Sequence, residues 1–357
     1  MPKSAPNKKN ENASKTSKKH TQRTLSGAIA KEQKEEKKPK PRNKQWWAKV
    51  ITWCGRGENE TGMQMVGTMA KKGLSVSLLK EIQKEERSKG VLSDYYDLGT
   101  LLTEEDLKAM GVEKAPEAGV LVLRGALSDL IGENDAWMKV EDELEQLEED
   151  KYAKMRGTVN LKSCRWNCLL AETSQQPDYP AGEGTIHDVR KYEYLDRVRH
   201  VLSELVHWPL GPKVPFHVGE INHYFDCNEC GIGWHGDAER RVVVGTRHGP
   251  GTIDMPLKWV WMTAKHEKQI VDGEETTKKV KTYHGKEQWI FVGRDDVYIM
   301  SEEAVGTDWK KFNKPVLLHS SGYGEKNKYS TRLRPATGLG VRRERLMRPG
   351  ESVPVAR

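Results

Sequence analysis

Long apolar runs are missing from this chain. No stretch approaches the ~20 residues that a membrane-spanning helix needs, and the N-terminus carries no apolar run of the kind a secretory signal would have. Apolar residues make up only 36% of 357 residues and phenylalanine only four, which is little for one packed globule and implies a sizeable segment outside the core. The five cysteines, Cys54, Cys164, Cys168, Cys227 and Cys230, are too few and too scattered for a disulfide scaffold. A helical membrane protein and a small disulfide-stapled secreted domain are both excluded on these grounds. We expect a soluble intracellular protein of the nucleus or cytoplasm, reduced, monomeric and without a membrane partner.

What the chain has in excess is positive charge at one end. Residues 1–44 hold 14 Lys/Arg and four Asp/Glu. Taken from chain totals of 59 and 52, that leaves 45 basic and 48 acidic residues for the rest. The basic character therefore belongs to the N-terminal segment, which has too few apolar residues to bury a core and reads as a disordered tail. Such a tail binds nucleic acid electrostatically, serves as a nuclear address, or simply solubilises the chain.

Residues 45–117 read as a mostly helical region. LSVSLLKEIQKEERSKG (74–90) has apolar residues at helical spacing and ends on Gly90. LTEEDLKAMGV (102–112) opens on a cap at Thr103 and stops at Gly111. Residues 118–127 read as a buried strand and 135–155 as an acidic helix whose charge faces solvent. Beyond residue 157 short apolar runs alternate with turns. The strand candidates are 214–225, 232–247, 257–263, 288–292, 297–301, 316–319 and 329–334, with an amphipathic helix at 188–205. The pattern predicts an α+β fold with a mainly β, sandwich- or barrel-like core and helices on one side. Residues 341–357 form a basic C-terminal tail.

The chemistry concentrates in INHYFDCNECGIGWHGDAERR (221–241). Zinc would draw on Cys227, Cys230 and His235, with His217 or His223 as the fourth ligand. No second Cys-x-x-Cys supports it, and Cys164-x3-Cys168 lies far upstream. Alternatively, His235 and Asp237 on one strand share a face, and a distant histidine completes a two-His, one-carboxylate set of the kind that holds non-haem Fe(II). His319, 84 residues after His235 at the end of an apolar run, is the candidate. Asn222 and Tyr224 share a face of the preceding strand. Arg332 and Arg334 share a face of KYSTRLR (328–334), where a guanidinium fork suits a carboxylate. Any one of these residues alone would read as an ordinary core or surface side chain; the ordered set points to a site. Trp234 beside the first ligand reads equally as pocket wall or core, and Glu239-Arg240-Arg241 as surface ion pairs.

This set resembles the AlkB-like group of Fe(II)/2-oxoglutarate-dependent dioxygenases. The resemblance rests on Asn222-His223-Tyr224, His235-Gly236-Asp237 within GIGWHGD, the DDVYIM run, His319 and Arg332/Arg334, and covers about residues 118–340. It implies a double-stranded β-helix (jelly-roll) with flanking helices, Fe(II) on His235, Asp237 and His319, and 2-oxoglutarate contacted by Asn222, Tyr224 and an arginine. The last strand departs from the family pattern Arg-x-Asn/Ser-x-Thr-x-Arg, because Lys328 stands at the first basic position. Arg334 is therefore preferred for the cosubstrate, with Arg332 beside it. The implied activity uses molecular oxygen and yields succinate and CO2, with oxidative demethylation or hydroxylation of DNA or RNA as the first expectation. Hydroxylation of a protein or small molecule, and an inactive nucleic-acid-binding adaptor, stay open.

Overall fold

The computed structural model describes residues 46–162, 164–227, 230–253, 255–271, 274–311 and 314–322. The fold is mixed and mostly β. In chain order its strands are β1 (Ala48–Cys54), β2 (Arg56–Glu58), β3 (Met65–Gly67), β4 (Leu92–Asp97), β5 (Gly119–Arg124), β6 (Tyr152–Met155), β7 (Thr158–Leu161) and β8 (Arg165–Ala171). Next come β9 (Ile186–Asp188), β10 (Val218–Tyr224), β11 (Ile232–His235), β12 (Val243–His248), β13 (Leu257–Val271), β14 (Glu274–Ile290), β15 (Val297–Met300) and β16 (Val316–Ser321). The helices are α1 (Val76–Ser88), α2 (Glu104–Met110), α3 (Ala126–Ile131), α4 (Ala136–Glu145), α5 (Glu193–Leu210) and α6 (Glu302–Val305). No described helix is long and apolar enough to cross a membrane.

Among the described residues, one large sheet runs β4-β5-β15-β12-β1-β10-β8-β9 and a smaller one β11-β16-β13-β14. From β10 to β16 the chain passes back and forth between them. The period-two alternation of strands sorts the core into two layers. Ile51, Trp53, Leu121, Leu123, Val244, Val297 and Ile299 point to one face, where helices α1, α3, α4 and α5 cover them with Leu79, Leu127, Val140 and Leu202. Val120, Val122, Val243, Tyr298 and Met300 point to the other face and meet Leu257, Trp259, Trp261 and Leu317 of the small sheet. Burial on both faces explains why β1, β10, β12 and β15 are buried throughout.

Several expectations hold. The 74–90 and 188–205 helices form, and Thr103 caps α2 in a reciprocal capping box with Asp106. Others need correction. Residues 45–117 are not a separate helical region, because β1 lies between β10 and β12 and β4 pairs with β5. The β-branched and aromatic run of AKVITWC has the strand preference that the helical reading passed over. The acidic helix ends at Glu145. Residues Arg156 and Gly157, both at positive φ, then turn β6 into β7 as a tight hairpin. Nor is its charge all solvated: Glu141 is buried against Arg294, and Glu143 accepts from the first amides of α5. The single strand expected at 232–247 is two, one in each sheet. The strand expected at 329–334 lies outside the described residues.

If β1 is part of the core, Trp53→Ala should cost about 3–5 kcal/mol, whereas Leu92→Ala on the exposed edge should cost about 0.5 kcal/mol or less. Denaturant unfolding of the two variants checks this.

Candidate metal centre

Strands β11 and β16 are antiparallel and place His235 directly opposite His319, with ring centroids 4.4 Å apart. Asp237 stands just past the end of β11, where its amide donates to the Val305 carbonyl at 3.0 Å. Gly236 between them has no alternative, since a Cβ there would lie 2.2 Å from the Gly306 carbonyl oxygen. The Asp237 Oδ1 is 3.5 Å from His235 Nε2 and 3.4 Å from His319 Nε2. One ligand atom from each residue lies within 4.8 Å of the others, and this is the one such group found among the described residues. It could hold a metal ion.

The protonation states suit that role. His235 Nδ1 lies 2.7 Å from the Gly233 carbonyl, an acceptor, so it carries the proton and Nε2 keeps its lone pair. Burial, with His319 close by, pushes the His235 pKa down to about 4, so the ring is neutral near pH 7. Burial alone would raise the Asp237 carboxyl, but Arg240 and the histidines hold it well below the usual carboxylate range. Arg240 is itself buried, pairs with Glu220 and Glu239, and stands 3.7 Å from Asp237. The expected surface ion pair is thus a buried network beside the site, although Arg241 does pair with Glu302 nearer the surface.

A pocket lies between the triad and the large sheet, and Asn222, Tyr224, Val50 and Thr52 line its far wall. Asn222 and Tyr224 therefore face the triad as their spacing implied. His223 points the other way, to Glu149 at 2.6 Å, and is no zinc ligand of this site. Cys227 and Cys230 pack with Ala48, Tyr224 and Met255 in an apolar cluster, so the cysteines do not contribute to the ligand group. Trp234 packs against the outer cluster of Val260, Met262 and Leu318. Arg332 and Arg334 lie outside the described residues, as do Lys328 and Ser330. Sequence reasoning missed Arg165, Glu220, Tyr298 and Ser321, which line the pocket, and Arg247, which donates to Ser321. The signal for Arg247 was legible: it is a lone cation in the strand VVVGTRH.

No family model matches the chain. A protein of Acanthamoeba polyphaga mimivirus, "Uncharacterized protein R156", is 33% identical over 273 residues, which is 76% of this chain and 94% of that protein.

Asp237→Ala should abolish stoichiometric binding of a divalent metal ion in equilibrium dialysis, while Cys230→Ser should leave it intact. Metal-free protein should lose stability as pH falls from 6.5 toward about 4. The His235 pKa is depressed in the fold, so the unfolded chain takes up the proton first and the stabilisation present above 6.5 is lost on acidification. His235→Asn should remove that component from the pH profile of the unfolding midpoint.

Proposed function

The chain belongs to the same family as the mimivirus protein, and since that protein's name gives no activity, we propose from the site itself that it is an Fe(II)/2-oxoglutarate-dependent dioxygenase. The observation that carries this reading is the convergence of His235, Asp237 and His319 at a pocket whose opposite wall presents Asn222 and Tyr224. Two imidazoles and one carboxylate, leaving positions open toward a pocket, form the donor set that suits non-haem Fe(II). The passage of the chain between two facing sheets from β10 to β16 supports a double-stranded β-helix.

The residues present fit the metal and its cosubstrate. His235 Nε2, Asp237 Oδ1 and His319 Nε2 would hold the ion. Bound there with 2-oxoglutarate and oxygen, iron supplies oxidation of a substrate C–H bond, with succinate and CO2 as coproducts. Asn222 Nδ2 donates to Glu220 at 2.9 Å, which holds the amide on the pocket wall, and the second Nδ2 hydrogen would be its donor to 2-oxoglutarate, whose oxygens only accept. Burial raises the Tyr224 hydroxyl pKa against the opposing effect of Arg165 and Arg247, so the phenol stays protonated and can donate. Val50, Ile232, Leu257 and Met300 complete the walls and limit water.

The substrate we propose is nucleic acid, with removal of an N-methyl group or hydroxylation as the outcome. The support is the charge of residues 1–44, since phosphates respond to Lys/Arg density.

With Fe(II), oxygen and 2-oxoglutarate, the protein should release succinate when offered methylated DNA and RNA oligonucleotides, and His319→Ala should reduce release to background. No succinate with either oligonucleotides or peptides would sink the dioxygenase reading. Release with peptides alone would keep the chemistry and remove nucleic acid as the substrate.

A further inference from the structure

Arg247 on β12 is fully buried, yet Nε and Nη1 of its guanidinium have no hydrogen-bond partner. Its Nη2 donates to Ser321 Oγ at 3.3 Å, a long contact that bridges from the large sheet to the small one. The titratable groups acting on it are Tyr298, Cys227 and Tyr224, with no carboxylate among them. The two arginines that line the pocket are matched: Arg165 pairs with Glu60 at 2.8 Å and Arg240 with Glu220 and Glu239. A buried cation without a counter-charge is costly, and this one touches Ser321, which lines the pocket.

Its position is set by register. Val50 of β1 is paired with Asn222 on one side and with Arg247 on the other. Residues paired across antiparallel strands share a face, so Arg247 points toward the triad side with Asn222. Ser321, its contact, lies two residues beyond His319 on β16, which displaces it about 7 Å along the strand from the metal ligand. That is the separation at which the far end of a five-carbon diacid would lie when its other end sits at the metal. Tyr224 and Tyr298 line the same space.

The expected source of this cation was the segment carrying Arg332 and Arg334. Between β10 and β12 the described structure has no free edge to receive another strand, because β1 pairs with both. We propose that Arg247, in place of Arg332 or Arg334, is the anchor for the second carboxylate of a dicarboxylate whose first end lies at His235, Asp237 and His319. The inference rests on the dioxygenase reading, which supplies the diacid. Nη2 carries a second hydrogen besides the one given to Ser321, so with the unpartnered Nη1 or Nε it completes a planar fork that matches a carboxylate as a bidentate pair, and Ser321 Oγ, accepting from Nη2, keeps its own hydrogen for the same anion. Burial lowers the guanidinium pKa, but from a value so high that the group remains a cation.

The test is calorimetric titration of the full-length, Fe(II)-loaded protein under nitrogen with 2-oxoglutarate and with 2-oxopentanoate, which has the same chain without the second carboxylate. Unaltered protein should bind 2-oxoglutarate about 100-fold more tightly, the loss expected when one partner of a buried charge pair is removed. Arg247→Gln should erase that preference and leave 2-oxopentanoate affinity unchanged. Arg247→Lys should recover only part of it, and the double variant Arg332→Ala, Arg334→Ala should keep it. Removal of an uncompensated buried cation should also raise the melting temperature of ligand-free Arg247→Met, where a merely structural arginine would lower it. Full discrimination by both Arg247 variants, or its loss in the double variant, would overturn the assignment and leave the dioxygenase reading standing. If unaltered protein binds neither acid, the reading itself fails and the anchor with it.

Discussion

Strand β1 lies between the two strands that carry the far wall of the pocket, and it serves a different layer with each face. Ile51 and Trp53 enter the helix-covered core, while Val50 and Thr52 line the pocket. Its pairings fix Asn222 of β10 and Arg247 of β12 in one row through Val50. A slip of one residue in either ladder would exchange the two layers and turn Asn222 away from the triad. Hence the stability of the helical layer and the geometry of the pocket are not separable. The apolar face of β1 holds the register, and the register places the polar groups of its neighbours.

The triad depends on a second constraint, the handling of buried charge. Asp237 sits among two imidazoles and Arg240, and Arg240 is in turn held by Glu220 and Glu239. Removing any one member would strand another in a low-dielectric interior. Glu220 also accepts from the Asn222 amide, so the network reaches the pocket's far wall as well as the candidate ligand group. The connection gives Asp237 a fixed negative charge and gives Asn222 a fixed orientation from the same set of residues.

Much of this was legible in the sequence because it rests on local periodicity. The two-residue spacings of His235 with Asp237 and Asn222 with Tyr224 each put two side chains into one space, and the apolar run before His319 is the strand that carries it opposite His235. The contribution of β1 was not legible, because AKVITWC follows a highly charged segment and its partners, Val218–Tyr224 and Val244–His248, lie far along the chain. The fate of the acidic residues of α4 was hidden for a similar reason. Glu141 and Glu143 look like a solvated face until Arg294 and the start of α5 are brought against them. Cys227 and Cys230 show the reverse error that spacing invites. Their Cys-x-x-Cys form suggests a metal, but the side chains fill an apolar cluster behind Tyr224.

Unsatisfied polarity is the remaining guide to the pocket. Buried polar atoms in folded proteins are nearly always hydrogen-bonded. Here Asn222 Oδ1, His319 Nδ1 and Arg247 Nε and Nη1 are without partners, on three strands that border one space. Each could have been replaced by an apolar residue at a gain in stability, as their neighbours Val50, Ile232 and Leu257 show is compatible with the fold. Local conflict between stability and residue choice is what a ligand-binding site produces when its ligand is part of the hydrogen-bonding pattern. Asn222 and Arg247 on the large sheet and His235, Asp237 and His319 on the other side thus set polar groups against one another in the space between the sheets, where apolar packing would be the more stable choice.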